Sequence, residues 1–213
     1  MSSSSRGTPT VPRLAVSVLM VRGEEIFIQN RSRTMDFAAG AVVFPGGRVD
    51  DVDRVTAQSR PAPSSLLSAH ARCWAETSIA AGRNADPAAG AGVLLAAAVR
   101  EVREETGAIL SPRDLTPWAN WITPASYGKR FDTYFYLTVL APTLAPQHQT
   151  TEADSSHWSP VRSILAGAAA GTLELMRPTE ALLQELADLP GTLPQALEPV
   201  LRAPRRITPV GTL

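Results

Sequence analysis

Short apolar runs with strand spacing dominate the first part of the chain. Leu14 to Val21 is dense in Val and Leu, Arg22-Gly23-Glu24 supplies turn residues, and Glu25 to Gln29 returns with alternating apolar positions. That pattern predicts a β-hairpin. Ala41 to Phe44 reads as a short buried strand stopped by Pro45-Gly46-Gly47. From about Arg54 to Gly92 the pattern changes to polar turns, Pro61 and Pro63, a helical stretch over about 64–81 and a Gly/Ala-rich passage. Asp86-Pro87 has the order of a helix cap and first helical residue, but Gly90 and Gly92 weaken a helix there. The main helix is therefore placed at Val93 to Thr106, with Gly107 as its stop. Trp118 to Ile122 and Arg130 to Leu140 predict two more strands around a loop, and Ser155 to Trp158 a last short one. Val161 to Ala170 and Thr179 to Leu186 predict helices. Pro190, Pro194, Pro199, Pro204 and Pro209 break up the tail, which is expected to run extended or to pack against a partner. No internal repeat is present, and the order of elements is that of a mixed α/β layered domain.

Composition narrows the function classes. A chain of 213 residues with 44% hydrophobic content supports one domain with a real core. Twenty basic and twenty acidic residues cancel, so no global basic field points to nucleic acid or an anionic membrane. A local basic patch stays open, and the basic residues are almost all Arg, with Lys129 the only lysine. The single cysteine, Cys73, rules out an intrachain disulfide framework and a Cys-based zinc site and fits a reducing, cytoplasmic compartment. Leu14 to Val21 is too short for a membrane span and lacks a signal-cleavage pattern. The Ser-rich start, Met1 to Gly7, is expected to be disordered, which places the domain at about 11–190 and a Pro-rich tail at 191–213.

Candidate chemistry is concentrated in one run, A-A-V-R-E-V-R-E-E-T-G-A, Ala97 to Ala108. Glu101, Glu104 and Glu105 stand at i, i+3 and i+4 and crowd one helical face. Like charges at that density repel one another, and hard oxygen donors suit Mg²⁺ or Mn²⁺. An E-x-x-E-E on a helix is more often a plain solvated face; the flanking R-E and T-G and the upstream P-G-G turn shift the balance to metal binding. His70 and Cys73 make no zinc site and read as a helix packing face. Trp74, Trp118, Trp121 and Trp158 read as core or interface residues.

Taken together, the glycine turn and the acidic helix resemble the signature of the Nudix hydrolases: a Gly, five residues, an acidic residue, seven residues, then R-E-hydrophobic-x-E-E-x-G-hydrophobic. Here Gly47 is followed by five residues and Asp53, and Arg100-Glu101-Val102-Arg103-Glu104-Glu105-Thr106-Gly107-Ala108 matches the second half. Two departures stand out. Asp53 occupies a position usually held by Glu, and 46 residues, 54 to 99, separate it from Arg100. A segment at about 54–92 thus resembles an insertion within the signature, as in a coenzyme A diphosphatase-like subgroup. The run from Arg31 to Gly47 resembles the extra motif of that subgroup at Arg31, Ser32, Gly40, Val42, Phe44, Pro45, Gly46 and Gly47, and departs from it at Asp36. Arg130 to Phe135, Trp158 to Pro160 and Met176 to Thr179 are also similar to it.

The resemblance implies a mixed β-sheet sandwiched between α-helices, with a helical insertion. It implies a Mg²⁺- or Mn²⁺-dependent diphosphatase. Glu104 and Glu105 would be direct ligands, the Gly46 carbonyl a further oxygen, and Glu101 either a ligand through water or the base that activates water. Arg100 would hold a neighbouring carboxylate in position, and Asp53 would pair with it or support the site from behind. Glu152, with Asp154 second, is the candidate acidic residue from a later loop. Arg31, Arg33 and Arg130 are the candidate substrate groups; the plainer reading makes the first two exposed strand-end residues and Arg130 architectural. The favoured substrate is coenzyme A or an acyl derivative, split into phosphopantetheine and 3′,5′-ADP. The rival within the enzyme class is ADP-ribose, NADH or an NTP, and the rival outside it is a catalytically silent nucleotide-binding module. The expected partner is a small nucleotide-type molecule, with no nucleic acid and no membrane; a homodimer is left open.

Overall fold

The computed structural model describes residues 10–34, 38–141 and 143–211, so the expected disordered start and the Asp36 departure lie outside the described residues. Strands β1 (Arg13–Arg22), β2 (Glu25–Arg31), β3 (Val42–Val43), β4 (Gly46–Arg48), β5 (Thr116–Ile122), β6 (Phe131–Val139) and β7 (Ala153–Pro160) form one seven-stranded sheet. Its main path runs β3-β2-β1-β6-β5, with β7 on β2 and β4 on β1. The long β1–β6 pairing is parallel and the other pairings are antiparallel, so the sheet is mixed.

Helices cover both faces. On one side lie α1 (Asp51–Ser59), α2 (Ser64–Cys73) and the long α3 (Pro87–Thr106); on the other lie α4 (Val161–Ala169), α5 (Arg177–Ala187) and α6 (Leu193–Arg202). Strand alternation divides the core between them. Val16, Val18, Met20, Tyr134 and Tyr136 point to α3 and the end of α2, where Leu94, Leu95, Ala98 and Val102 of α3 and Trp74 after α2 meet them. Leu19, Val21, Phe135 and Leu137 point to Ile164, Leu182, Leu183, Leu186 and Leu197 on the opposite side. Among the described residues, no helix is long and apolar enough to cross a membrane.

Several elements differ from the sequence expectation, each for a local reason. α3 begins at Pro87, six residues before Val93, because the Asp86 side chain accepts from the Ala88 and Ala89 amides, both at 3.0 Å. Gly90 does not break this helix. It lets the helix approach closely, since a Cβ there would lie 2.9 Å from the Ile79 Cβ. The helix expected over 64–81 stops at Cys73. Its continuation is held to the sheet as a short 3₁₀ turn, Ser78–Ala80, in which the Ser78 hydroxyl binds the Asp132 carboxylate and the Tyr134 hydroxyl. α1 stands where polar turns were expected, closed by a reciprocal Asp50/Asp53 capping box. Gly46-Gly47, expected only as a turn, forms the edge strand β4 against Ser17 and Val16.

The tail is also helical. Pro194 sits in the first turn of α6, where no amide hydrogen bond is lost, and Pro199 lies inside the helix. Leu193 and Leu197, one turn apart, are buried against the protein's own core, which offsets the Pro199 defect. Beyond α6, Val210 bridges Trp121 of β5, so the tail covers this domain's own sheet edge.

Candidate active site

The glycine strand and the acidic helix meet although Gly47 and Arg100 lie 53 positions apart in the sequence. β4 is fixed by pairing with β1, and α3 lies across it. The Gly46 amide donates to Glu105 Oε2 at 2.9 Å. Gly47 faces the Glu101 carboxyl so closely that a Cβ there would lie 2.6 Å from Glu101 Cδ. At Gly46, with φ of +155°, a Cβ would lie 2.6 Å from Ser17 Cα and closer still to the Val16 carbonyl oxygen. Both glycines are therefore required by close approach, one to the sheet and one to the acidic helix.

Arg100 organises the acidic face. Its Nε and Nη2 donate to Asp53 Oδ1 and Oδ2, each at 2.8 Å, in a two-pronged pair. Nη2 also donates to the Arg48 carbonyl at 3.0 Å, while Nη1 lies 2.9 Å from Glu101 Oε1 and 3.1 Å from Glu104 Oε2. Asp53 is only 1% exposed, and its Oδ2 also accepts from the Asp50 amide at 2.8 Å. One buried carboxylate thus joins α1, β4 and α3 through a single guanidinium. The Asp53 hydrogen bond is the main reason Arg100 is held firmly protonated.

The glutamates are not equivalent. Glu101 is pushed up to about 7, first by burial, against the opposing pull of Arg100. Glu105 is also pushed up to about 7, again first by burial; the Gly46 amide and Arg31 pull it down, while Glu101 and Glu152 push it up. The Glu104 side chain is half exposed. Among the described residues, no three His, Cys, Asp or Glu side chains are arranged as a ready ligand set. The reason is visible in the pairing: Glu101 and Glu104 turn to Arg100 while Glu105 turns to the Gly46 amide. The donor chemistry nevertheless fits a divalent cation. Two carboxyls driven towards neutrality by burial and by neighbouring acids gain from a cation, and the half-exposed Glu104 can leave Arg100 for it.

The remaining candidates fall into two groups. The segment 147–149 caps the C-terminal end of α3, with the Gln147 amide on the Thr106 carbonyl at 2.9 Å and the Gln149 amide on the Glu105 carbonyl at 3.0 Å. This leads the chain to Glu152, whose carboxylate meets Arg31 Nη2 at 3.4 Å and adds its field to Glu105. Arg31 and Glu152 therefore stand at the edge of the acidic cluster. Asp154, on β7, is exposed. Arg33 is exposed beyond β2, with its stem 3.6 Å from the Cβ position of Gly40. Arg130 is buried and donates to the carbonyls of Thr123 at 2.9 Å and Thr10 at 2.8 Å. These bonds tie the β5–β6 loop to the N-terminal segment and favour the architectural reading of Arg130 over the substrate-binding one. Buried Asp132, bound by Ser78 and Asn120 beneath α3, escaped the sequence reading; a lone Asp at a strand start carries no signal of that network.

The architecture is thus a mixed sheet between helical layers, with an arginine-braced cluster of glutamates packed on a glycine strand. The chain belongs to the NUDIX domain family, whose model matches residues 72–179. It is a pyrophosphohydrolase of that family. Among solved structures it is similar to a NUDIX hydrolase from Alicyclobacillus acidocaldarius, with 24% identity, a TM-score of 0.66 and coverage of 93% of this chain and 99% of that one. It is also similar to a MutT NUDIX hydrolase from Burkholderia pseudomallei, with 18% identity, a TM-score of 0.52 and coverage of 83% and 99%. Both likenesses bear on the fold. No curated protein matches the chain.

Proposed function

We propose that this chain hydrolyses the diphosphate linkage of coenzyme A or an acyl-coenzyme A, releasing 3′,5′-ADP and the matching phosphopantetheine. Mg²⁺ or Mn²⁺ would be held by Glu104 and Glu105 with the Gly46 carbonyl, and by Glu101 if that residue ligates through water. The ion would neutralise the diphosphate oxygens and acidify the attacking water. Water adds at phosphorus, the anhydride P–O bond breaks, and the leaving phosphate departs with its substituent. If Glu101 does not ligate, it would take the proton of the attacking water, held against Gly47 and paired with Arg100. Arg31 would meet a substrate phosphate, a role supported by its pairing with Glu152 beside Glu105.

The observation that carries the hydrolytic reading is the contact of Gly46 and Gly47 with Glu105 and Glu101. Preference for coenzyme A rests on the run from Arg31 to Gly47 and on the helices between Asp53 and Arg100, which resemble an insertion that would shape the mouth of the site. A substrate panel with Mn²⁺ tests it, with products resolved by chromatography. Turnover of coenzyme A to 3′,5′-ADP is expected; rapid ADP-ribose turnover with none for coenzyme A would overturn the substrate choice. Equal inactivity of wild type and Glu104→Gln, with both binding nucleotide, would favour a silent binding module.

A further inference from the structure

Between the end of α2 and the end of α6 lies a cavity of about 420 Å³. The hollow is open to solvent on one side, and its volume falls within the roughly 300–1,000 Å³ range of small-molecule clefts. No residue of the acidic cluster lines it; its walls carry Arg72, Arg202, Arg206, His70, Cys73 and Pro204. Three guanidinium groups around one hollow are notable in a chain whose basic and acidic residues cancel. Two of them have acidic partners: Arg202 pairs with Glu198 one helical turn back, and Arg206 approaches Glu76 at 3.7 Å, both pairs largely in solvent. Such exposed pairs are weak and exchange readily for a better anion. Arg72 has no acidic partner among the described residues.

The wall is polar as well as basic. His70 is 3% exposed, stacks near Tyr136, and its Nδ1 has no hydrogen-bond partner. Burial pushes it down to about 4, against a backbone hydrogen bond at Leu115, so it is a neutral imidazole that adds no charge to the wall. The Nδ1 atom has almost no accessible surface, so His70 is part of the packed floor of the hollow and the arginines are its reachable polar groups. The arginines also come from parts already tied together here: the Ile207 amide donates to the Cys73 carbonyl at 2.9 Å, and the Cys73 thiol meets the Pro204 carbonyl at 3.9 Å.

We propose that the hollow between α2 and the C-terminal segment is a binding site for a small phosphate monoester. Arg72, Arg202 and Arg206 hold the phosphoryl group, and the esterified group lies over His70 and Pro204. Guanidinium forks match phosphoryl oxygens, and the hollow is larger than inorganic phosphate fills. An occupied site also clamps the C-terminal segment to α2.

The test is calorimetric titration of the full chain at constant ionic strength, with EDTA present so that the acidic helix holds no metal to recruit phosphate. Inorganic phosphate and phenyl phosphate are the probes. Saturable one-to-one binding is expected, tighter for phenyl phosphate. It should weaken about tenfold or more in Arg72→Gln/Arg206→Gln, as for loss of charge-assisted bonds, and remain unchanged in Glu104→Gln. Arg72→Gln alone, at an exposed position, keeps the test valid if the double variant folds poorly. Absence of saturable binding, binding insensitive to the arginine changes, or binding lost in Glu104→Gln would overturn the site. Phosphate binding with phenyl phosphate excluded would overturn the ester assignment.

Discussion

Replacing Asp53 by Ala removes the one carboxylate that joins three elements of the acidic site. Asp53 is 1% exposed and accepts three hydrogen bonds, two from Arg100 and one from the Asp50 amide, each 2.8 Å long. Removing one partner of a buried ion pair costs about 3–5 kcal/mol. Here Arg100, whose side chain is 15% exposed, keeps Glu101 and Glu104, which reduces the loss. Loss of the α1 capping box adds about 1 kcal/mol, and the net expectation is a loss of about 2–4 kcal/mol. Activity should fall more than stability suggests, because the released guanidinium pulls harder on Glu101 and Glu104. Urea unfolding of the full chain gives the first quantity, and kcat and KM give the second. In a cycle with Arg100→Met, the double variant should be less destabilised than the sum of the singles, with coupling of about 1–3 kcal/mol. A loss under about 1 kcal/mol, or additivity in the cycle, would refute the brace.

The two glycines should separate stability from activity. Gly46→Ala drives a methyl into the Val16 carbonyl and Ser17 backbone and should unfold the protein or lower Tm severely. Gly47→Ala meets only the flexible end of Glu101 and should leave Tm within about 3 °C while lowering kcat at least about tenfold; equal stability losses would contradict this. Glu105→Gln and Glu101→Gln should each cut kcat about 10²–10⁴-fold with folding intact, measured by product release under saturating substrate. Metal-free protein should lose stability as pH rises. With Glu101 and Glu105 at about 7 against an ordinary 4.5, the folded state binds more protons between those values, so each contributes up to about 3 kcal/mol against folding above pH 7. Tm scans at pH 5 and pH 8 should show the fall without divalent ions and a much smaller one with Mn²⁺; a Tm that rises from pH 5 to pH 8 without metal would refute it.

How legible this was depended on where each residue found its partner. The hairpin, the acidic helix and its Gly107 stop were readable because their signals are local; Gly107 indeed takes φ of +70°. α1 was not readable because its pattern is inverted. Val52 and Val55 are 54% and 62% exposed, while its buried residue is an aspartate whose cation lies 47 positions away. α6 was hidden by two prolines whose cost is offset only by tertiary burial of Leu193 and Leu197. Arg130 stood between two readings because a strand-end arginine looks available, and only the fold shows the two carbonyls that receive it. The approach of Glu152 to Glu105 depends on chain capping α3 with backbone amides, which any sequence can supply.

The most direct measurement is anomalous diffraction from crystals grown with Mn²⁺, collected near the manganese edge. The account expects a peak within bonding distance, roughly 2.0–2.6 Å, of Glu105 and Glu104 beside Gly46, with Arg100 still on Asp53. A featureless map at the acidic helix in crystals of protein that hydrolyses substrate in the same buffer would contradict it.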